Sequence, residues 1–501
     1  MFKMSDNDMR LSTLLQDFYS IPVELDRDIS GLMLDSRYVQ KNGLFLAVKG
    51  THLDGRHYIQ DAILRGASAV LIDADTTNDV LTFEATVPLI PIKHLQQKVG
   101  FIASCFYGNP SNHLRMIGVT GTSGKTSCSH FIAQSLQSLN IPCGIIGTLG
   151  NGFLGEMGEA GLTTPDAVTL QSILHDFVLR KAQAIAMEVS SHSIDQGRIN
   201  GIQFDIGIFT NLSQDHLDYH LTMESYALVK RRFLAEIPVK HCIINADDAY
   251  GRKWITELST HHSIIAYSTD QPDREMQVPL VYVDQIESGL YGMKAKLKSP
   301  WGEADISLPL IGQFNLSNSL AVLTALCVYG VTFKDAVSCL ARLQAVPGRM
   351  QTLGGDERPL VVVDYAHKPD ALEKVLQALR GHTKGKLWCV FGCGGERDRG
   401  KRPLMAKIAE TLADNVIVTN DNPRHEKPEE IVAEIVGGFS HPEKVSIELD
   451  RAKAIENSIQ WANACDCVLI AGKGAEHYQQ LGDEKIPFDD VEKVKEYLWS
   501  K

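Results

Sequence analysis

The sequence of 501 residues holds no apolar run near the roughly 18 residues that a bilayer-spanning helix requires, so no membrane-spanning segment is expected. Its opening, MFKMSDNDMRLS, has no apolar core of the kind a secretion signal carries, and none is expected. A basic excess is also missing: 49 Lys and Arg face 61 Asp and Glu, for a formal net charge of -12. Proteins that grip a nucleic-acid backbone need the opposite balance, which excludes general nucleic-acid binding and leaves only local basic sites open. Ten cysteines are present but none in a zinc pattern. The close pairs Cys389/Cys393 and Cys465/Cys467 lie in apolar, strand-like runs without a second pair or a histidine at ligand spacing. They read as reduced core thiols, and the expected compartment is the cytoplasm. Internal repeats and low-complexity tracts are absent as well.

What is there is the composition of a globular protein, 44% hydrophobic and 22% charged, long enough for about two to four domains. Its most informative stretch is Met116 to Ser127, MIGVTGTSGKTS, an apolar strand that breaks into a glycine loop before a helix-periodic segment. Gly121 and Gly124 let backbone N–H groups turn inward, the helix adds its N-terminal dipole, Lys125 reaches phosphate oxygens, and the Thr126 hydroxyl can ligate Mg2+. The common form of such a loop has glycine five residues before Gly124, where this chain has Val119.

Residues 1 to 112 read as a small α/β domain, with strand-like GLMLDSR, GLFLAVKG, SAVLID and PLIPI and a helical pattern from His57 to Arg65. Within it, Leu34-Asp35-Ser36-Arg37 and the loop Gly50 to Arg56 are polar clusters that serve equally as turns or as ligand contacts. Asn109-Pro110-Ser111-Asn112 marks a boundary. Beyond it, CGIIG, AIAMEVSS, FDIGIFTN and HCIINAD alternate with helical patterns, predicting a parallel sheet covered on both faces over residues 113 to 344. Glu188, Asn211 and Asn245 fall at the carboxyl ends of those strands, where ligands gather. A strand-rich insertion spans Leu280 to Leu310, a helix runs from the GQFNLSN segment to about Tyr329, and Ala345 to Arg349 links to a third domain, residues 345 to 501. There PLVVVDYAH, KLWCVFGC, NVIVTND and CVLIAGKG repeat the doubly wound pattern.

Glu188 ends one strand and His216 follows the next, so the pair reads either as polar strand termini or as ligands of a divalent ion beside the phosphate loop. In the third domain Arg397 and Arg424 follow two strands and Gly472 to Glu476 a third. The guanidinium groups are placed to grip a carboxylate or simply to face solvent.

The ordered series GVTGTSGKTS, LTTPDA, MEVSSHS, FTNLSQDHLDYH, GQFNLSN, VPGRMQ, DYAHKPDAL, GCGGERDRGKRP, TNDNPR and AGKGAE, from residue 118 to 476, closely resembles the Mur ligases. LDSR and THLDGR carry the likeness through the N-terminal part. The resemblance implies three α/β domains: an N-terminal UDP-binding one, a central P-loop-type ATPase and a C-terminal Rossmann-like domain. It also implies ATP-dependent addition of meso-diaminopimelate to UDP-N-acetylmuramoyl-L-alanyl-D-glutamate; a monomer is the default expectation. On the matching positions, Leu34 and Ser36 with Thr51, His52 and Leu53 would hold the uridine diphosphate. Gly121, Thr122, Ser123, Gly124, Lys125, Thr126 and Ser127, with Asn315, would hold ATP. Thr163, Thr164, Ser190, Gln196 and Arg198 would contact the muramoyl dipeptide. Mg2+ would be held by Thr126, Glu188, His216 and Lys230. By position alone Lys230 reads as a solvated helix lysine; the resemblance implies a CO2-derived carbamate there, which turns a cation into a carboxylate-like anion.

The implied chemistry is attack of the D-glutamyl carboxylate on the γ-phosphate, then of an amine on the acyl phosphate, with Lys125 offsetting charge between two anions. For the amino acid the matching positions are Arg397, Asp421, Asn422, Pro423, Arg424, Gly472 and Glu476. Arg424 would pair with the far carboxylate of diaminopimelate and repel the ammonium that lysine carries there. Glu476 would meet an ammonium. Asp364 and His367 serve equally well as nucleotide or interdomain contacts and as structural groups. One position departs from the family, Ala475 standing where histidine is usual. The lysine-adding ligases fit Asp421 to Arg424 less well, folylpolyglutamate synthetases fit DHLDYH poorly, and a nucleotide-regulated binding protein leaves the third domain's arginines without a role.

Overall fold

In a computed structural model the described residues are 9–50, 53–74, 81–84, 86–158, 161–271, 276–289 and 292–499. Their contacts form two compact units: residues 1–267 with 274–280 and 324–331, and residues 268–273 with 281–323 and 332–501.

The first unit opens with a five-stranded sheet in the order Gly31–Met33, Gly43–Ala47, Ala67–Ala74, Val87–Lys93, Thr82–Glu84, parallel except for the last strand. Every residue of Gly43–Ala47 is buried, as expected where a parallel strand is covered on both faces. The expected helix near His57 is a 3-10 turn, Gly55–Tyr58, running into Ile59–Leu64. Leu44, Leu46, Leu71 and Ile90 share one core with Val99 and Ile102 of the helix Leu95–Phe106, and with Ala167 and Val168 of Ala167–Leu179.

The larger sheet of this unit has the order Glu156–Met157, Gly150–Phe153, Cys143–Gly147, Ala184–Glu188, Arg115–Thr120, Phe204–Phe209, Val239–Asn245, Ser263–Ser268. Its last six strands in that order are mutually parallel. The first two are an antiparallel addition that the sequence pattern does not announce, because Gly150 and Gly152 erase the alternation. Strand addition reverses about Arg115–Thr120: the next parallel strands lie on one side of it, the later ones on the other. That places its carboxyl end in the crevice where open parallel sheets bind ligands.

The second unit contains an antiparallel run, Leu280–Gly289, Gly292–Ser299 and Gly302–Leu308, where the strand-rich insertion is expected. Its main sheet has the order Gln351–Gly354, Leu360–Asp364, Cys467–Ala471, Leu387–Phe391, Asn415–Val418, Ser446–Ile447, with all but the first pairing parallel. Leu360 and Val362 face one core with Leu372 and Leu376, whereas Val361 and Val363 face another with Ala454, Ile455 and Val494. This period of two, with helices on both sides, is the doubly wound layer the sequence predicts. All ten cysteines are free and only Cys465 is exposed, in keeping with core thiols. Among the described residues no helix is long and apolar enough to cross a membrane.

Candidate active site

Val119 is fully buried in its strand, opposite Glu188 on one side and Ile208 on the other, so the residue in the usual glycine position belongs to the sheet and needs no special backbone. The turn is made after it, by Gly121 at φ 148 and Gly124 at φ 85, the latter preceding the helix Lys125–Ser138. A Cβ on Gly121 would stand 2.0 Å from the Thr210 hydroxyl. Asn211 grips the loop from the neighbouring strand end. Its carbonyl accepts from the Thr122 N–H at 2.9 Å, and its side chain exchanges hydrogen bonds with the Ser123 N–H and carbonyl at 3.0 and 3.2 Å.

Lys125 donates to the carbonyls of Gly121 and Thr122 at 2.8 and 2.9 Å. Lys230, from the helix Met223–Ala235, donates to the same Gly121 carbonyl at 2.9 Å and is only 1% exposed. Burial, then repulsion from Lys125, pushes its pKa well below the usual lysine range, against a weaker pull from Asp215.

Glu188, equally buried, accepts from the Thr126 hydroxyl at 3.0 Å and from the N–H and hydroxyl of Thr148 at 2.9 and 3.1 Å. From there polar contacts continue without a break. Thr148 and Thr163 hydroxyls lie 3.2 Å apart, and Thr164 donates to the Glu188 carbonyl at 2.8 Å and accepts from the Ser190 N–H at 3.2 Å. Arg198 donates to the Thr164 carbonyl at 3.0 Å and doubly to Gln196 Oε1 at 3.0 and 2.6 Å, while Gln196 reaches the Tyr219 hydroxyl at 3.2 Å. The candidate dipeptide contacts are thus brought together beside the phosphate loop. Thr148 and Tyr219 were not singled out from the sequence. The signal for Thr148 is its place just after a parallel strand, Cys143–Gly147, and Tyr219 stands inside DHLDYH.

His216 takes a left-handed backbone, φ 53, and its Nε2 lies 3.4 Å from Asp215 Oδ2. Its ring meets that of His192 edge-on at 4.9 Å, and His192 in turn lies 4.3 Å from Tyr219. Ser127 is buried in the first turn of the loop helix. In the N-terminal sheet Leu34 and Ser36 follow one parallel strand and Leu53 follows its neighbour. Ser36 is buried and hydrogen-bonds Asp61, whereas Leu53 is exposed. Thr51 and His52 lie outside the described residues.

In the second unit Asn315 is buried and donates to the Ile311 carbonyl at 2.9 Å. Asp421, Asn422, Gly472 and Glu476 converge at the carboxyl ends of two strands. Asn422 Nδ2 donates to Glu476 at 2.9 Å, and Gly472, at φ 119, faces Asp421 so closely that a Cβ would lie 3.1 Å from Oδ2. Lys473, fully buried between them, was passed over in the sequence although it sits inside AGKGAE. Arg424 has φ 52 and donates to the Gly395 carbonyl at 2.7 Å, with Pro423 just before it; Arg397 is exposed and donates to the Glu396 carbonyl at 3.4 Å. Arg451 is buried on Asp490 through two bonds of 2.7 and 2.6 Å, and also holds the carbonyls of Asn420 and Ala471, the residues just before Asp421 and Gly472. Gly348 packs on Gly474 and Ala475, where a Cβ would come 2.1 Å from the Ala475 nitrogen.

The donors at the loop suit a hard cation: one buried carboxylate and a threonine hydroxyl, while the His216 ring lies 6.3 Å from that of Tyr226, whose hydroxyl is 3.2 Å from the Thr122 hydroxyl. Among the described residues no three His, Cys, Asp or Glu side chains are assembled as a metal site.

Three family profiles match the chain. That described as Mur ligase middle domain covers residues 119–326, that of the Mur ligase glutamate ligase domain residues 348–474, and that of the Mur ligase family catalytic domain residues 28–107. The sequence is 46% identical over 492 residues to a UDP-N-acetylmuramoyl-L-alanyl-D-glutamate--2,6-diaminopimelate ligase of Coxiella burnetii, covering 98% of this chain and 100% of that one. With the protein of the same name from Pseudomonas aeruginosa it shares 47% over 475 residues, 95% and 96% of the two chains. A solved structure of a ligase of that name superposes with a TM-score of 0.73 at 35% identity, covering 98% of this chain and 99% of that one.

Proposed function

The chain belongs to the Mur ligase family, and from that premise we propose that it joins meso-diaminopimelate to UDP-N-acetylmuramoyl-L-alanyl-D-glutamate, with ATP converted to ADP and phosphate, in the making of peptidoglycan precursors. The observation that carries the reading is the unbroken polar chain from Thr126 through Glu188 and Thr164 to Ser190, Gln196 and Arg198. A simple nucleotide hydrolase has no use for a second substrate site wired to its phosphate loop.

In this reading the loop residues Gly121 to Ser127 hold the ATP phosphates on backbone N–H groups, and Lys125 leaves its carbonyl partners to meet the γ-phosphate. Arg198 and Gln196, fixed on each other, orient the dipeptide so that its D-glutamyl carboxylate attacks the γ-phosphorus. The oxygen–phosphorus bond forms as the bond to ADP breaks, leaving an acyl phosphate. The free amine of the amino acid then attacks the acyl carbon, loses a proton and expels phosphate. Both reacting groups of the first step, the carboxylate and the γ-phosphate, are anionic, so alignment and charge neutralisation supply most of the acceleration.

Burial and Lys125 together favour the neutral amine of Lys230, the form that adds to CO2. We assign it as a carbamate, formed with loss of one proton. Thr126, Glu188, His216 and that carbamate are the groups we assign to magnesium, which when bound supplies further neutralisation of phosphate charge. Leu34, Ser36 and Leu53 are assigned to the uridine diphosphate end, Asn315 to ATP, and Arg397, Asp421 to Arg424, Gly472 and Glu476 to the amino acid. Division at residues 112 and 344, a monomeric state and a cytoplasmic location complete the proposal; each of the three parts so divided contains a sheet of its own.

The test is product mass. The protein, ATP and the UDP-muramoyl dipeptide are incubated with diaminopimelate or with lysine. The tripeptide is expected with diaminopimelate, with ADP release dependent on both other substrates. Equal ATP turnover without them would overturn the ligase reading, and lysine as the better substrate would overturn the assignment of Arg424.

A further inference from the structure

Lys473 is a lysine with no exposed surface, set among the side chains assigned to the incoming amino acid. Its Nζ donates to Asn422 Oδ1 at 2.9 Å and to Glu476 Oε2 at 3.3 Å, and stands 3.6 Å from Asp421 Oδ1. Asn422 is used up by these neighbours: its oxygen also accepts from the Gln480 N–H at 2.9 Å and its amide donates to Glu476. The Tyr478 ring lies 5.6 Å from Nζ. Arg451, whose charge is felt by Asp421 and Glu476, is cancelled by Asp490. Around Lys473 and Arg451, two cations thus stand against the three carboxylates of Asp421, Glu476 and Asp490, and Arg397 and Arg424, assigned to the same amino acid, are two further cations.

We infer that Lys473 is the positioning residue of the amino-acid pocket: it holds Asn422 and Glu476 in place and offsets one of the two carboxylates, Asp421 and Glu476, leaving the other to one ammonium of a diamino dicarboxylate. Without it, Asp421 and Glu476 face each other uncompensated, and a pocket more negative by one charge favours an amino acid of higher net positive charge. Diaminopimelate is neutral overall and lysine carries one positive charge, so the ratio of their kcat/KM values reads the pocket's charge directly. Glu476→Gln moves that charge the other way. A role in packing alone predicts no such opposition.

This inference rests on the ligase reading. Its test is kcat/KM for diaminopimelate and for lysine in wild type, Lys473→Met and Glu476→Gln, with KM for ATP and for the UDP-dipeptide as controls. Methionine keeps the buried stem and removes the charge. Lys473→Met is expected to raise the diaminopimelate KM by about tenfold or more, with kcat within about threefold, and to lower the diaminopimelate-to-lysine ratio by about fivefold. Glu476→Gln is expected to raise that ratio. A ratio that stays put in folded variants, or shifts the same way in both, overturns the inference; should Lys473→Met fail to fold, Lys473→Gln is read in its place by the same criterion. Wild-type protein that forms no product with diaminopimelate would sink the ligase reading itself.

Discussion

Lys125 and Lys230, more than a hundred residues apart, donate to one and the same carbonyl oxygen, that of Gly121. Burial first, and repulsion from Lys125 second, drive Lys230 toward its neutral form. The loop assigned to phosphate thus adds, through Lys125, to the burial that prepares the amine assigned to CO2.

Lys230→Met keeps the buried stem and removes the nucleophile. Ligation is expected to fall by about a hundredfold or more, and bicarbonate, which should restore activity to CO2-depleted wild type, is expected to do nothing for the variant. Product formation measured with and without added bicarbonate checks both; a variant that keeps full activity disproves the carbamate.

At Gly121 an added methyl would collide with Thr210, whose hydroxyl is already held by the Ser123 carbonyl at 2.6 Å. Gly121→Ala also strains a backbone at φ 148. We expect destabilisation of about 1–3 kcal/mol and a nucleotide affinity lower by about tenfold or more, read by urea unfolding and by ADP titration.

Arg424 makes its side-chain bond to a backbone carbonyl rather than to a carboxylate, so its removal leaves no buried charge behind. Arg424→Ala is expected to raise the diaminopimelate KM by at least about tenfold, with little change in Tm. An unchanged KM in a folded variant removes Arg424 from the selectivity argument.

His367 is pushed down to about 4, first by burial and then by Lys401 and Lys368, despite its bond to the Tyr365 carbonyl. Its folded pKa lies below the unfolded one, so the unfolded chain takes up the proton first as pH falls. Its neutral burial costs nothing above about pH 6.5; stability is lost between about pH 6.5 and 4, by at most about 3 kcal/mol, and the loss levels off below. Urea midpoints across that window, compared with those of His367→Gln, should differ in slope; parallel curves exclude the histidine as the cause.

Arg451 and Asp490 are a buried pair with no exposure on either side. Arg451→Met strands a carboxylate and is expected to cost about 3–5 kcal/mol, whereas adding Asp490→Leu to it should restore much of the loss. Chemical unfolding of the single and double variants separates a pair from two independent contributions.

Strand ends and glycine turns were legible in the sequence, because an apolar run that stops at a polar residue marks a sheet's edge: Glu188, Asn211 and Asn245 all lie there. The shift of the loop glycine was legible too, though its reason needed the register that puts Val119 beside Glu188. Lys230 was misleading by position alone, yet its helix buries Tyr226, Ala227, Phe233 and Leu234 with it, so the lysine stands on the apolar stripe. Thr148 and Lys473 were not legible. They act through partners 40 and 51 residues away, Glu188 and Asn422, and no local pattern reports such a contact.

The guanidinium of Arg451 ties the last helix, Asp490–Trp499, to the residues that precede both Asp421 and Gly472. A ribosome delivers those residues in order, so the loop at Gly121 has its partners up to Lys230 well before residue 490, for which the groups assigned to the amino acid must wait. The groups assigned to choosing the amine are therefore completed later in synthesis than the loop assigned to the phosphates.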